Sequence, residues 1–325
     1  MEEKTLIVED LCAGFPAARG EIRAADHVSL EAEKGKITGL VGESGCGKSM
    51  TARAVMNLIR YPGRITGGRI LLEGRDLTLM QKKERRMLMG SEISMIFQDP
   101  MSSLNPVMKV GKQVDEAVMQ HERVSRAEAK RRTLEMMKAA GIPDPERRYH
   151  CYPHQLSGGL RQRVMIAMAM VCRPKLLIAD EPTTALDVTV EAQILDLMKK
   201  MSADGTAILL ISHNLGAVAR VCDDVYVMYA GKIVERADIC TLFDHPAHPY
   251  TRGLLNAVSS LRNGRETLDT IPGNVPDLLR LPSGCSFSPR CALCRKECRE
   301  QMPEMREIGP GHLVRCFTPE GGEAE

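Results

Sequence analysis

Residues 42–49 run Gly-Glu-Ser-Gly-Cys-Gly-Lys-Ser, a gapless fit to G-x-x-x-x-G-K-[ST]. An apolar stretch, Ile37-Thr38-Gly39-Leu40-Val41, precedes it, and helical spacing follows to about residue 59. Strand, glycine loop and helix in that order leave few folds open. Gly42, Gly45 and Gly47 let the backbone wrap closely, so that consecutive amides, including those of Glu43, Ser44 and Cys46, point at phosphate oxygens. Lys48 supplies a point charge, the Ser49 hydroxyl a magnesium ligand, and the new helix its positive end. Cys46 is small enough to be harmless in the loop, although a loop thiol beside positive charge could be reactive.

A second motif belongs to the same chemistry. Leu176-Leu177-Ile178-Ala179 is the continuous apolar run of a strand covered on both faces, and Asp180-Glu181 closes it. Two acids after a strand are commonly just the start of a loop. Beside a phosphate loop they gain roles, because ligands bind at the carboxyl ends of parallel strands. Asp180 can hold a magnesium shell, and Glu181 can polarise a water for in-line attack.

The remainder alternates between α and β. Strands are expected at Leu6-Ile7-Val8, at residues 27–30, 69–72, 93–97 and 207–211, around 225–229, and at 232–234. A helix is expected over 188–201, whereas 110–172 has helical spacing throughout. Its basic run, 123–132, is expected to be a solvated helix face, and Met165, Met168 and Met170 are expected to pack in a core. Beyond about His245 the chain turns rich in proline, glycine and cysteine, which sets a boundary there.

Bulk numbers exclude several classes. With 44 basic and 42 acidic residues, the net charge of +2 lacks the excess of a nucleic-acid binder. The polar start Met1-Glu2-Glu3-Lys4 is not a secretory signal, and no apolar run approaches the roughly 18 residues of a membrane span. The chain is expected to be soluble, with any membrane role carried by partners.

Leu156-Ser157-Gly158-Gly159-Leu160-Arg161-Gln162-Arg163 resembles the signature motif of ABC ATPases, with the rest of that family's set in order along the chain. Gln98 matches the Q-loop glutamine, Ala185-Leu186-Asp187 the D-loop and His213 the switch histidine, and Phe15 is the aromatic expected on adenine. Residues 97–106, Tyr152-Pro153-His154-Gln155, 164–169 and 248–255 narrow the resemblance to the D-type ATPases of oligopeptide and dipeptide permeases. The resemblance implies an α/β P-loop NTPase with a RecA-like core. An N-terminal antiparallel β subdomain, an inserted helical signature subdomain at about 99–172 and a small Cys-rich C-terminal extension are implied with it. On this basis 1–245 forms the nucleotide-binding domain and 246–325 the extension, in which His248 is structural.

It also implies the site. Glycines and neighbours from Gly42 to Ser49, with Met50, would hold ATP; Ser49, Gln98 and Asp180 would hold Mg2+; and Glu181, His213 and Gln98 would serve hydrolysis. Ser157, Gly158 and Gly159 would cap the γ-phosphate held by a partner, since amides at a helix start favour anions. The implied partners are a related F-type ATPase in a heterodimer, two membrane permease subunits and an extracytoplasmic binding protein, with this chain peripheral on the cytoplasmic face. Short peptides are the expected cargo, and nickel or a metal chelate the alternative. A translation or repair ATPase, or a catalytically silent assembly module, fits less well. The chain has one module without a coiled-coil insertion, and it keeps Lys48, Asp180, Glu181 and His213.

Of 11 cysteines, five crowd into Cys285, Cys291, Cys294, Cys298 and Cys316. In a reducing compartment disulfides are rare, which leaves inert thiols, structural zinc or an iron–sulfur cluster. The tail pattern of D-type peptide permease ATPases favours a 4Fe-4S cluster on Cys285, Cys291, Cys298 and Cys316, with Cys294 spare. Such a centre would staple a tail expected to have little core of its own.

Overall fold

The computed structural model describes residues 3–17, 20–99, 103–184, 186–262 and 271–319. Its strands are β1 (Lys4–Ala17), β2 (Gly20–Glu33), β3 (Ile37–Val41), β4 (Arg64–Leu72), β5 (Arg75–Asp76), β6 (Ile93–Ile96), β7 (Leu176–Asp180), β8 (Ala207–Ser212), β9 (Asp224–Tyr229), β10 (Lys232–Asp238), β11 (Arg306–Gly309) and β12 (His312–Val314). Its helices are α1 (Lys48–Val55), α2 (Lys82–Leu88), α3 (Val110–His121), α4 (Arg126–Ala139), α5 (Pro145–Tyr149), α6 (Gly158–Met170), α7 (Val188–Ala203), α8 (Leu215–Val221), α9 (Ile239–Asp244), α10 (Pro249–Arg262) and α11 (Lys296–Glu300). They fall into two compact units.

The first unit combines Ala32–Ile37 with Leu72–Ile211 and the start of the chain. Its strands β6, β7 and β8 run parallel, with Ile96 opposite Ala179 and Asp180 opposite Ile211. Every residue of the three is buried, as their apolar sequences require. Each buried Leu or Ile there stabilises by about 1.5–3 kcal/mol. The register brings Gln98 and Glu181 just past the carboxyl ends of adjacent strands. Between β6 and β7 the helices α3, α4, α5 and α6 close over Val110, Val114, Val118, Met137, Tyr149, Val164 and Val171. Tyr149 donates to the buried Asp115 carboxylate, and a Cβ at Gly111 would fall 2.1 Å from its ring. Met165 and Met170 are buried and Met168 packs on the same core, so the methionines are packing residues. The basic run pairs with its own acids, Arg131 with Glu128 and Glu135, on an exposed helix face.

The second unit combines Ile7–Glu31, Thr38–Leu71 and the chain from Ser212 onward. In it β2, β1 and β4 lie side by side. β3 pairs parallel with β9, β9 antiparallel with β10, and β10 antiparallel with β12, which hairpins with β11. Two differences from the sequence reading stand out. The helix after the phosphate loop stops at Val55 rather than near 59, because Asn57 turns left-handed (φ 55°). Its N–H donates to Ala54 O and that of Leu58 to Arg53 O, a Schellman stop. The tail, expected to have little core of its own, carries a hairpin that extends the sheet, with Val314 opposite Glu235. Strands of four and three residues carry too little periodicity to be seen in sequence.

Candidate active site

The phosphate loop leaves the fully buried β3 and enters α1 through Gly42, Gly45 and Gly47, all at positive φ. At Gly42 and Gly47 a Cβ would sit 2.2 Å from Met228 O and 1.9 Å from Ala24 O, so only glycine fits. Lys48 is buried, and its Nζ donates to the carbonyls of Gly42 (2.8 Å) and Glu43 (2.9 Å). An ammonium fixed at the loop's centre can exchange those carbonyls for phosphate oxygens. Ser49 is half-buried and Met50 buried in the first turn of α1, whereas Ser44 and Gly45 stay exposed. The environment of Cys46 does not favour reactivity. The thiol is fully buried, and burial pushes its pKa up more strongly than Lys48 lowers it, so it stays a protonated thiol.

In the first unit Asp180 is buried at the end of β7. Glu181 takes a left-handed turn (φ 49°), held by its N–H on Ile211 O at 2.9 Å. Gln98 Nε2 donates to Glu181 Oε2 at 3.0 Å, and Thr184 Oγ1 donates to the same oxygen at 3.2 Å. The structure thus brings together two residues 83 apart in sequence. The carboxylate is half-exposed, at the end of a buried strand, where a base can take a proton from water.

Ser157 caps α6, its Oγ accepting from Leu160 N–H, with Ser157 and Gly158 exposed at the helix start. The positive end of a 13-residue helix can meet an anion presented by another molecule. Of the D-loop residues, Asp187 caps α7 through Val190 N–H, whereas Ala185 lies outside the described residues. His213 is exposed immediately after β8. Phe15, on β1, lies half-buried against Gly63, where a Cβ would come within 2.7 Å of its ring.

Two residues at the loop escaped the sequence reading. The Glu43 N–H, expected to face phosphate, instead donates to the hydroxyl of Tyr250, at 2.8 Å, from the start of α10. Arg290, in the tail, forms a two-pronged ion pair with the Glu43 carboxylate at 2.6 and 3.1 Å. No sequence signal joins positions 207 and 247 residues apart.

The tail gathers its cysteines. Cys285 N–H donates to Cys298 O at 2.8 Å, and Gly284 permits this, since a Cβ there would lie 2.4 Å from the same oxygen. Cys285, Cys291, Cys298 and Cys316 line one small cavity with His248 and Phe287, whereas Cys294 does not line it. Burial pushes the Cys285 thiol up to about 11, and the neighbouring cysteines push it the same way. His248 is buried, its Nδ1 accepting from Tyr250 N–H and its own N–H donating to Glu235. Elsewhere in this unit Cys12, Asp26 and His27 bring ligand atoms within 4.8 Å of one another. Lys232 pairs with Asp26 and Asp10 with His27, which accounts for that group as ion pairs.

Comparison with known proteins adds to this geometry. A family model described as ABC transporter matches residues 25–184, and one described as oligopeptide/dipeptide transporter, C-terminal region, matches 234–298. A probable peptide ABC transporter ATP-binding protein of Sinorhizobium fredii is 50% identical over 318 residues, 96% of this chain and 94% of its own. The oligopeptide transport ATP-binding protein OppD of Escherichia coli is 49% identical, over 97% of this chain and 93% of its own. Among solved structures, the dimeric bacterial ABC transporter cassette MJ0796 superposes with a TM-score of 0.67 at 25% identity, covering 72% of this chain and 98% of that one.

Proposed function

The chain belongs to the ATP-binding subunits of ABC transporters, and from that membership we infer that it hydrolyses ATP to drive uptake of short peptides. One observation carries the catalytic reading: the Gln98–Glu181 contact at the strand ends, in a chain whose phosphate loop is complete. Glycine-loop amides and Lys48 hold the phosphates, and Ser49, Gln98 and Asp180 hold Mg2+. Glu181 takes a proton from the attacking water, with Gln98 orienting the carboxylate. His213 contacts the γ-phosphate and Phe15 stacks on adenine. Ser157, Gly158 and Gly159, at the start of α6, close over ATP held by a partner, a related F-type chain, so that ATP joins the two and its hydrolysis releases them. Two permeases and an external binding protein complete the machine. Among the described residues no helix is long and apolar enough to cross a membrane, which fits a peripheral subunit on the cytoplasmic face. Reconstitution with those partners should give peptide-stimulated ATP turnover and uptake. Turnover that answers to nickel or a chelate and not to peptides would move the cargo to the alternative, and no turnover at all would leave a silent assembly module.

The tail fits a 4Fe-4S cluster on Cys285, Cys291, Cys298 and Cys316. Four buried or half-buried thiols line one cavity, and the fifth, Cys294, does not. Zinc fits less well. Four thiolates around one ion draw their sulfurs to about 3.8 Å apart, from Zn–S bonds of about 2.3 Å. Among the described residues no three tail thiols lie within 4.8 Å of one another. A cube with one thiolate per iron accepts wider spacing. The cluster's role would be to staple the tail. Protein purified without oxygen should be brown, with about four irons per chain, as four-thiolate ligation of such a cluster requires. Cys294→Ser should keep the iron. Colourless protein with one zinc would replace this reading, and a metal-free tail would end it.

A further inference from the structure

Glu43, the second residue of the phosphate loop, is held at three points. Its N–H donates to Tyr250 Oη at 2.8 Å. Its carbonyl accepts from Lys48 Nζ at 2.9 Å and from Cys46 N–H at 3.3 Å. Its carboxylate takes Arg290 Nη1 at 2.6 Å and Nη2 at 3.1 Å. Arg290 is itself fixed. Its Nε donates to Pro272 O at 3.0 Å and its Nη2 to Ile271 O at 3.2 Å. The guanidinium lies about 6 Å from the ring centres of Tyr229 and Phe287, and its side chain is only 4% exposed. An exposed salt bridge is worth little because both partners wander. Here the fork geometry, the burial and the backbone acceptors remove that freedom beforehand.

We propose that Arg290 is a positioning residue for ATP, holding the phosphate loop in its binding shape through both carboxylate oxygens of Glu43. The tail is therefore part of the nucleotide site. Arg290 lies next to Cys291, and its N–H donates to Phe287 O at 3.0 Å within the turn that the cysteine cavity is built on. Loosening that turn frees Glu43, and with it the carbonyls against which Lys48 is set. The inference rests on the ATP site and stands whatever the cysteines hold.

The test is the affinity of the full chain for MgATP and MgADP, measured by titration calorimetry on the parent, Arg290→Gln, Glu43→Ala and the double variant. Metal content and thermal midpoint are read on the same samples. Arg290→Gln should weaken both nucleotides by about tenfold or more, the scale of one charge-assisted hydrogen bond. Glu43→Ala should lose as much, and the double variant no more than either, because one contact is being removed twice. Arg290→Lys should recover part of the affinity, since it keeps the charge but not the fork. A purely structural role would lower the thermal midpoint and the metal content without this pattern. Unchanged affinity in Glu43→Ala, which alters no tail residue, would overturn the proposal even if Arg290→Gln unfolds the tail. So would losses that add in the double variant. Absence of iron from the parent would sink the cluster reading and leave this result untouched.

Discussion

Replacing Tyr250 by Phe removes one oxygen and isolates the backbone hold on the phosphate loop. The ring stays, still packed against Tyr229 and Phe287 at centroid distances of 4.6 and 5.5 Å, so the start of α10 keeps its seat. Tyr250 is fully buried, and burial raises its pKa, so the hydroxyl that accepts from Glu43 is neutral. Its loss leaves that N–H without its acceptor. A fully sealed donor would cost about 1–3 kcal/mol. Glu43 is half-buried and water can partly serve it, which places the cost at about 1–2 kcal/mol. If the folded loop bears that cost, nucleotide affinity falls about five- to thirtyfold. The thermal midpoint of a 325-residue chain moves by only about 1.5 °C per kcal/mol, from an unfolding entropy of about 2.1 cal/mol/K per residue. Titration of parent and variant with MgATP, beside a melting curve, measures both. Tyr250→Ala is the contrast, since truncating the buried ring should cost about 3–5 kcal/mol of stability. Parental affinity in Tyr250→Phe would refute the reasoning, because the hydroxyl would then be irrelevant to the shape of the loop.

Lys48→Ala should lose at least about a hundredfold in ATP affinity, since two charge-assisted bonds of about 1.5–3 kcal/mol each disappear; equal binding in mutant and parent would remove the lysine from the site. Glu181→Gln should bind ATP normally and turn over about 10²–10⁴-fold more slowly, because the amide keeps the size and loses the basicity; turnover at the parental rate would show that the proton goes elsewhere. Burial lowers the His248 pKa from 6.5 to about 3, so between those values the unfolded chain binds a proton that the folded chain does not. Stability should accordingly be unaffected above pH 6.5 and fall as pH drops towards 3, by up to about 1.4 kcal/mol per pH unit, and His248→Asn should flatten that slope. Denaturant titrations at several pH values decide it, and an unchanged slope in the variant would assign the acid lability to other groups.

The sequence alone determined the parts of the site that are contiguous. The phosphate loop, the apolar strand closed by Asp180-Glu181 and the signature helix start at Ser157 each depend on neighbours in the chain, and local geometry follows from local composition. Residue spacing likewise set apart the crowd of cysteines. What needed the tertiary structure was every contact between distant segments. The parallel register of β6 and β7 brings Gln98 to Glu181, and a short terminal hairpin beside β10 brings up the segment that ends at Cys316. Burial had to be seen as well, since Cys46 looks reactive beside Lys48 until its full enclosure keeps it a thiol. Glu43 and Arg290 are unremarkable letters 247 positions apart. Only the folding of the tail back onto the loop makes them a pair, because an ion pair is specified by where two charges meet and not by either residue's neighbours.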